Sequence, residues 1–388
     1  MVEKVKDEVV GWRRHLHENP EISFEEKETS KFIYETLESF GGLELSRPTG
    51  TSVVARLIGE NPGRTIALRA DIDALPIHEE NDFEFVSKKP GVMHACGHDA
   101  HTAMLLGVAK ILSGMRESIA GEVRLIFQHA EELGPGGAEE LVEKGVMDGV
   151  DAVVGIHLWA SLPTGVIGLA YGPMMGSPDT FNLTIKGSGG HAAMAHKTVD
   201  SIAVGAQVVT NLQHVVSRNI DPMDNAVLSV TRFTGGATHN VIPGSVEMEG
   251  TVRTLDPEVR KQMPELMERV IKGVTDAHGA TYDLDYDFGY RPVINDEDVT
   301  RVVEVAARGA FGNEAVELQR PTMGAEDFSA YQTKVPGTFI WVGAGNEEKG
   351  IVHPHHHPRF TVDEAALPIG MRMHLEAAMR LLDGGSAG

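Results

Sequence analysis

Strand and helix patterns alternate along most of this chain. The order breaks between about Asp179 and Gly289, and that break constrains the fold more than any other feature. Ahead of it, runs suited to strands fall at about 52–58, 65–70, 122–128 and 152–158, with helical patterns at about 101–113 and 137–144. Two helices open the chain. The first runs to about His17 and stops before Pro20. The second starts at Ser23, where Glu26 three residues on completes a capping box, and stops at Gly41-Gly42. Such alternation predicts an α/β fold, an open mixed sheet flanked by helices. Inside the break the order is strand 180–186, helix 200–217, strands 226–233 and 246–254, helix 257–278 and strand 281–288. That is the β-α-β-β-α-β order of a ferredoxin-like unit. After Arg291-Pro292 the alternation resumes with helix 296–310, strand 338–342 and a last helix 364–382. The expectation is one α/β domain made of residues 1–178 and 292–388, with residues 179–291 inserted as a second domain.

Composition narrows the function classes. Against 34 Lys and Arg stand 56 Asp and Glu, a formal charge of −22. Nucleic acids and anionic membranes call for a basic surface, so neither is an expected partner. Cys96 is the one cysteine, which leaves no disulfide within the chain and points to a reducing compartment. The charged start, Met1-Val2-Glu3-Lys4-Val5-Lys6-Asp7, lacks a signal peptide's apolar core, and no run approaches the ~20 apolar residues of a membrane span. A cytoplasmic protein is expected.

Ligands of open α/β sheets bind at the carboxyl ends of the strands. Here those ends collect metal-binding side chains. Asp71-Ile72-Asp73 follows strand 65–70; His129-Ala130-Glu131-Glu132 follows strand 122–128; His157 lies near the end of strand 152–158. His94-Ala95-Cys96-Gly97-His98-Asp99-Ala100-His101 precedes a helix, and His353-Pro354-His355-His356-His357-Pro358 follows strand 338–342. Cys96 and His98 are two apart, so extended backbone would point both the same way, and thiolate with imidazole suits zinc and similar ions. Asp99 and His101 are ligand or orienting groups. Adjacent Glu131 and Glu132, read as extended, point to opposite sides, one toward metal and one toward a water whose pKa a metal lowers to about 7. Blander readings exist for each motif: a polar helix cap around Cys96, an acidic turn at Glu131-Glu132, a core histidine at His157, an exposed loop at His355–His357. Their convergence on one sheet edge outweighs them.

The inserted domain has its own polar turns. Gly187-Ser188-Gly189-Gly190-His191 and Thr238-His239-Asn240-Val241-Ile242-Pro243, with Arg253 at a strand end, offer donors for a substrate carboxylate and a carbonyl oxygen. Ordinary hairpin chemistry explains the same residues equally well.

Together these segments, with Arg69–Pro76, Met323-Gly324-Ala325-Glu326-Asp327-Phe328 and His356-His357-Pro358, resemble the dinuclear metallo-amidohydrolases: the aminoacylases, hippurate hydrolases and auxin-conjugate hydrolases. The resemblance spans nearly the whole chain. It implies two divalent ions per subunit, Zn, Mn or Co, held by Cys96, His98, Glu132, His157 and His356. His356 is taken from its tract because the family's ligand sits two residues before the proline. It also implies Glu131 as general base, Asp71, Asp73, Asp99 and Glu326 in support, Asn240 and Arg253 on the substrate, and His191 reaching a neighbouring subunit's site. The inserted domain would be the lid and dimerisation domain of a homodimer or homotetramer, and the substrate an N-acyl amino acid. Two lid positions depart from the pattern: Ser188, where relatives often carry a basic residue, and Ala195, where they often have proline. Other readings stay open: a two-metal phosphatase or nuclease, or a binding protein that kept the scaffold.

Overall fold

Eight strands build the main sheet of the computed structural model, which describes residues 1–384. Four central neighbours run parallel, in the order Ala120–Gln128, Asn61–Asp71, Ala152–Pro163, Gly337–Gly345. Val53–Ile58 and then Glu44–Ser46 extend one side antiparallel; Ile167–Leu169 and Val316–Leu318 extend the other. The sheet is therefore mixed. Gly337–Gly345 is buried at every residue, as is Ala120–Gln128 after its first, because helices cover both faces and no polar alternation is needed. Helix His98–Ser113 is buried along nearly its whole length and packs against Lys6–Glu18 and Ala366–Leu382.

The chain leaves Asn61–Asp71 toward one side of the sheet and Ala152–Pro163 toward the other. The crevice between the carboxyl ends of these two strands is where an α/β sheet receives ligands.

The chain forms two units. The larger comprises Met1–Met174, Ile294–Arg320 and the chain from Asp327 on; the smaller comprises Met175–Val293 and Pro321–Glu326. The sequence boundaries place residues 321–326 in the first domain. They group with the smaller unit because the Gly176 N–H bonds the Gly324 carbonyl at 2.8 Å and Met175 bridges to Thr322.

The smaller unit has a four-stranded antiparallel sheet in the order Ala226–Gly235, Ser245–Thr254, Asp179–Lys186, Thr281–Asp287. Helices Ser201–Asn219 and Pro257–His278 enclose its core, where Phe181, Ile185, Val208, Leu212, Met263 and Ile271 pack. Asp179 ties helix Pro257–His278 to the sheet: its carboxylate takes Arg260 Nη2 at 2.6 Å, Tyr286 Oη at 3.0 Å and the Gly289 N–H at 3.0 Å, all buried or half-buried. Asp179→Ala strands the guanidinium and is expected to lower unfolding free energy by about 3–5 kcal/mol, read as a lower urea midpoint with an unchanged slope.

The capping box does not form. The second helix begins at Lys27, and its Thr29 N–H is capped by Glu21 Oε2 at 2.8 Å. Ser23 and Glu26 turn their side chains elsewhere.

Candidate metal centre

Three segments of the larger unit meet at the sheet crevice. Gly97 sits at φ 97° just before helix His98–Ser113, a conformation that suits a residue without Cβ. This left-handed turn, not extended backbone, carries Cys96 and His98 to one place. Glu131 and Glu132 are not extended either: they follow Ala130 at φ 51° in a bend after Gln128. His356 has φ 65°, and its N–H bonds the Ala95 carbonyl at 2.8 Å, tying the histidine tract to the cysteine loop.

A neutral imidazole carries one N–H and one lone pair, so each ring's partners decide which atom can hold a metal. His98 donates from Nδ1 to the Asp73 carbonyl at 2.9 Å, with Asp73 Oδ1 at 3.2 Å, which leaves Nε2 as lone pair. His157 donates from Nδ1 to the Leu158 carbonyl at 2.8 Å, and its Nε2 lies 3.4 Å from Cys96 Sγ. His98 Nε2 faces Glu132 Oε1 at 3.9 Å, and both atoms are buried without a hydrogen-bond partner. His356 Nε2 lies 3.2 Å from that same Glu132 oxygen. Cys96, His98 and Glu132 can each bring one ligand atom within 4.8 Å of the others. Two buried acceptors turned toward each other repel unless a cation lies between them. This donor set fits divalent metal.

The same accounting removes two histidines from the ligand set. His101 is engaged at both nitrogens: Nδ1 donates to Asp71 Oδ1 at 2.6 Å, and Nε2 accepts the Leu158 N–H at 2.8 Å. His355 Nε2 accepts the Ala160 N–H at 3.2 Å, so its proton is on Nδ1, 3.9 Å from Cys96 Sγ. It donates toward sulfur.

Electrostatics agree. Burial opposes charging of His98, but Asp71, Asp73 and Glu132 push its pKa up to about 10, so the pocket demands positive charge. Burial, then Glu132, Glu131 and Asp71, push the Cys96 thiol well up, so a thiolate there needs a cation beside it. Burial also works against the Asp71 carboxylate, yet His98, His101 and Arg69 hold it well below the usual range; Arg69 Nη1 is 2.7 Å away.

Among the other expected site residues, Glu131 is buried beside Glu132. Asp99 faces away from the cluster, bonded to Arg13 Nε at 3.1 Å and His17 Nδ1 at 2.9 Å. Burial penalises its charge, but those two cations hold the carboxyl far below its ordinary pKa. Arg13 also reaches Thr361 and Glu364, so Asp99 braces the helix behind the site. Sequence reasoning missed Arg13, His17 and Arg69, whose partners lie far away in the chain or inside a strand, and Trp159, stacked on Trp341 at 4.1 Å beside His157.

His191, Asn240, Arg253 and Glu326 belong to the smaller unit. His191 is exposed on a two-residue strand paired with Val241-Ile242, and its Nδ1 accepts the Ala193 N–H at 3.1 Å, which puts the ring proton on Nε2. Asn240 Oδ1 accepts from Thr238 at 3.0 Å. Arg253 is half-buried, and burial lowers its pKa against the pull of Asp179. Glu326 is buried.

Residues 67–380 match the model of peptidase family M20/M25/M40. An N-acyl-L-amino acid amidohydrolase of Geobacillus stearothermophilus is 65% identical over 295 residues, 76% of this chain and 80% of the relative. Thermostable carboxypeptidase 2 of Saccharolobus solfataricus is 42% identical over 98% of this chain and 96% of its own. The crystal structure of the Bacillus subtilis YXEP protein, described as a dinuclear metal binding peptidase from the M20 family, superposes with a TM-score of 0.87 at 39% identity, covering 98% of this chain and 99% of that one. The chain belongs to peptidase family M20/M25/M40 and is a metal-dependent hydrolase of amide bonds.

Proposed function

We propose that the chain hydrolyses the amide bond of N-acyl-L-amino acids, in the cytoplasm and as a homodimer, with Glu131 as general base. The carrying observation is the buried pair His98 Nε2 and Glu132 Oε1, 3.9 Å apart beside Cys96 and each without a hydrogen-bond partner. The amidohydrolase 65% identical to this chain supports the substrate class.

Cys96, His98, Glu132, His157 and His356 would hold two divalent ions, which when bound would supply Lewis acidity toward a water and the amide carbonyl. Glu131 accepts the water's proton on its carboxylate and passes it to the leaving amine nitrogen. Asp73 fixes the His98 ring so that its Nε2 faces the cluster. His191, protonated on Nε2, donates to the carbonyl oxygen as charge grows there. Asn240 and Arg253 hold the substrate carboxylate. The products are a carboxylic acid and a free amino acid.

The test is metal analysis of the purified protein paired with amine release from a panel of N-acyl amino acids and small peptides, before and after chelation. The expected result is about two ions per subunit, with activity lost to chelator and restored by Zn²⁺, Mn²⁺ or Co²⁺. Peptides turned over in preference to N-acyl amino acids would move the substrate toward that of the carboxypeptidase relative. A protein that takes up no metal would refute the ligand set.

A further inference from the structure

Ser23 and Glu26, expected as a helix cap, serve a different purpose. We propose that Glu26, assisted by Ser23, is a positioning residue that holds the Ala130–Glu132 bend and so aims the Glu131 carboxylate. This rests on the reading of Glu131 as base.

Glu26 is fully buried at 0% exposure, an unusual place for a carboxylate. Its Oε1 accepts the Ala130 N–H at 2.8 Å and the Phe24 N–H at 3.0 Å; its Oε2 accepts from Thr51 Oγ1 at 2.8 Å. Ala130 and Phe24 have φ of 51° and 68°. They are two of the three non-glycine residues at positive φ among those described, the third being His356. Such backbone persists only where the surroundings over-determine it. Here one carboxylate grips both strained amides, and hydrogen bonds to a charged acceptor are the stronger kind.

The far end of the bend is held as well. Asp73 Oδ2 accepts the Glu132 N–H at 3.0 Å, and the Ser23 hydroxyl donates to that same oxygen at 2.6 Å. Glu131 therefore sits between two amides, one held by Glu26 and the other by the Ser23-Asp73 pair. Asp73 is also the residue that orients His98. Segment 23–26 thus sets the base and a ligand from one place, before any substrate arrives. Displacing a reacting group by about 1 Å costs about 10²-fold in rate, so loosening this bend should be felt in turnover first.

The experiment uses the full-length, metal-loaded enzyme. Glu26→Ala is expected to lower kcat about 10²-fold, with KM and metal content near wild type. Glu26→Gln keeps an oxygen for the two N–H groups and turns its amide to the Thr51 hydroxyl, which can accept. It should retain most activity. If Glu26→Ala does not fold, Glu26→Asp keeps the charge but falls one methylene short, and a kcat loss of about tenfold or more is expected from it. In a Glu131→Gln background, the Glu26 substitution should add no further loss, because it acts through Glu131. Wild-type kcat in folded Glu26→Ala or Glu26→Asp, or the same fold-loss with and without Glu131, overturns the proposal. If Glu131→Gln itself keeps full activity, the base assignment fails instead, and the two failures are told apart.

Discussion

Glu131→Gln should purify with wild-type metal content and turn over its substrate about 10²–10⁴-fold more slowly, the range a positioned general base contributes. The substitution preserves size and hydrogen-bonding reach and removes only the ability to take a proton at neutral pH. Metal content should hold because the proposed donors are other atoms: Cys96 Sγ, Glu132 Oε1 and the Nε2 lone pairs of His98 and His157, with His356 Nε2 beside Glu132. The loss should fall on kcat, since a carboxamide leaves substrate binding largely unchanged. A variant that retains metal and near-wild-type kcat would remove Glu131 from the proton path. A variant that loses its metal would make Glu131 a ligand instead.

His191→Ala is the other large effect. An oxyanion donor contributes about 10²–10³-fold. Its ring proton sits on Nε2 because Nδ1 already accepts the Ala193 N–H, so His191 presents a donor without needing to be charged. The two variants also test the shared site. Each is inactive alone, but a mixed dimer of His191→Ala with Glu131→Gln carries one site in which both residues are intact. Random reassortment makes about half the dimers mixed, so about a quarter of wild-type activity should return. Mixed dimers without recovered activity would exclude a histidine contributed across subunits. A fully active His191→Ala would exclude the residue altogether.

Much of this molecule was legible from periodicity and from the residue types at the strand ends. The long strands and helices were found within a few residues, because apolar runs of strand length bounded by Gly, Pro and charged residues leave few alternatives. The three-residue strands Glu44–Ser46, Ile167–Leu169 and Val316–Leu318 were not, since three residues carry no period. The side-chain types of the candidate metal cluster stood out in the sequence as well, but its geometry did not. Cys96 and His98 converge through a left-handed Gly97, and Glu131 is aimed by a left-handed Ala130; extended spacing anticipates neither. The Ser23-Glu26 pair shows the limit clearly. Locally its pattern is a helix cap, and only the packing of Thr51, Asp73 and Ala130 around it gives those oxygens a different use. The choice of His356 over His355 comes from the tract's spacing to the proline through the family resemblance, whereas the backbone N–H of Ala160, which engages His355 Nε2, has no sequence signal.

The interleaving of the main sheet bears on how the protein is made. Strand Ala152–Pro163 pairs along one edge with Gly337–Gly345, and helix Ala366–Leu382 covers the same sheet. Both arrive only after the whole smaller unit has been synthesised. At ~5–20 residues per second, the ribosome holds that edge open for roughly ten to forty seconds. The smaller unit's four strands lie in one continuous stretch and can pair as they emerge, whereas the nascent larger unit carries a bare apolar edge of the kind that draws in other chains. His356 follows strand Gly337–Gly345, so the proposed ligand set, and with it the stabilisation that bound metal would lend to folding, is complete only after the smaller unit has been made.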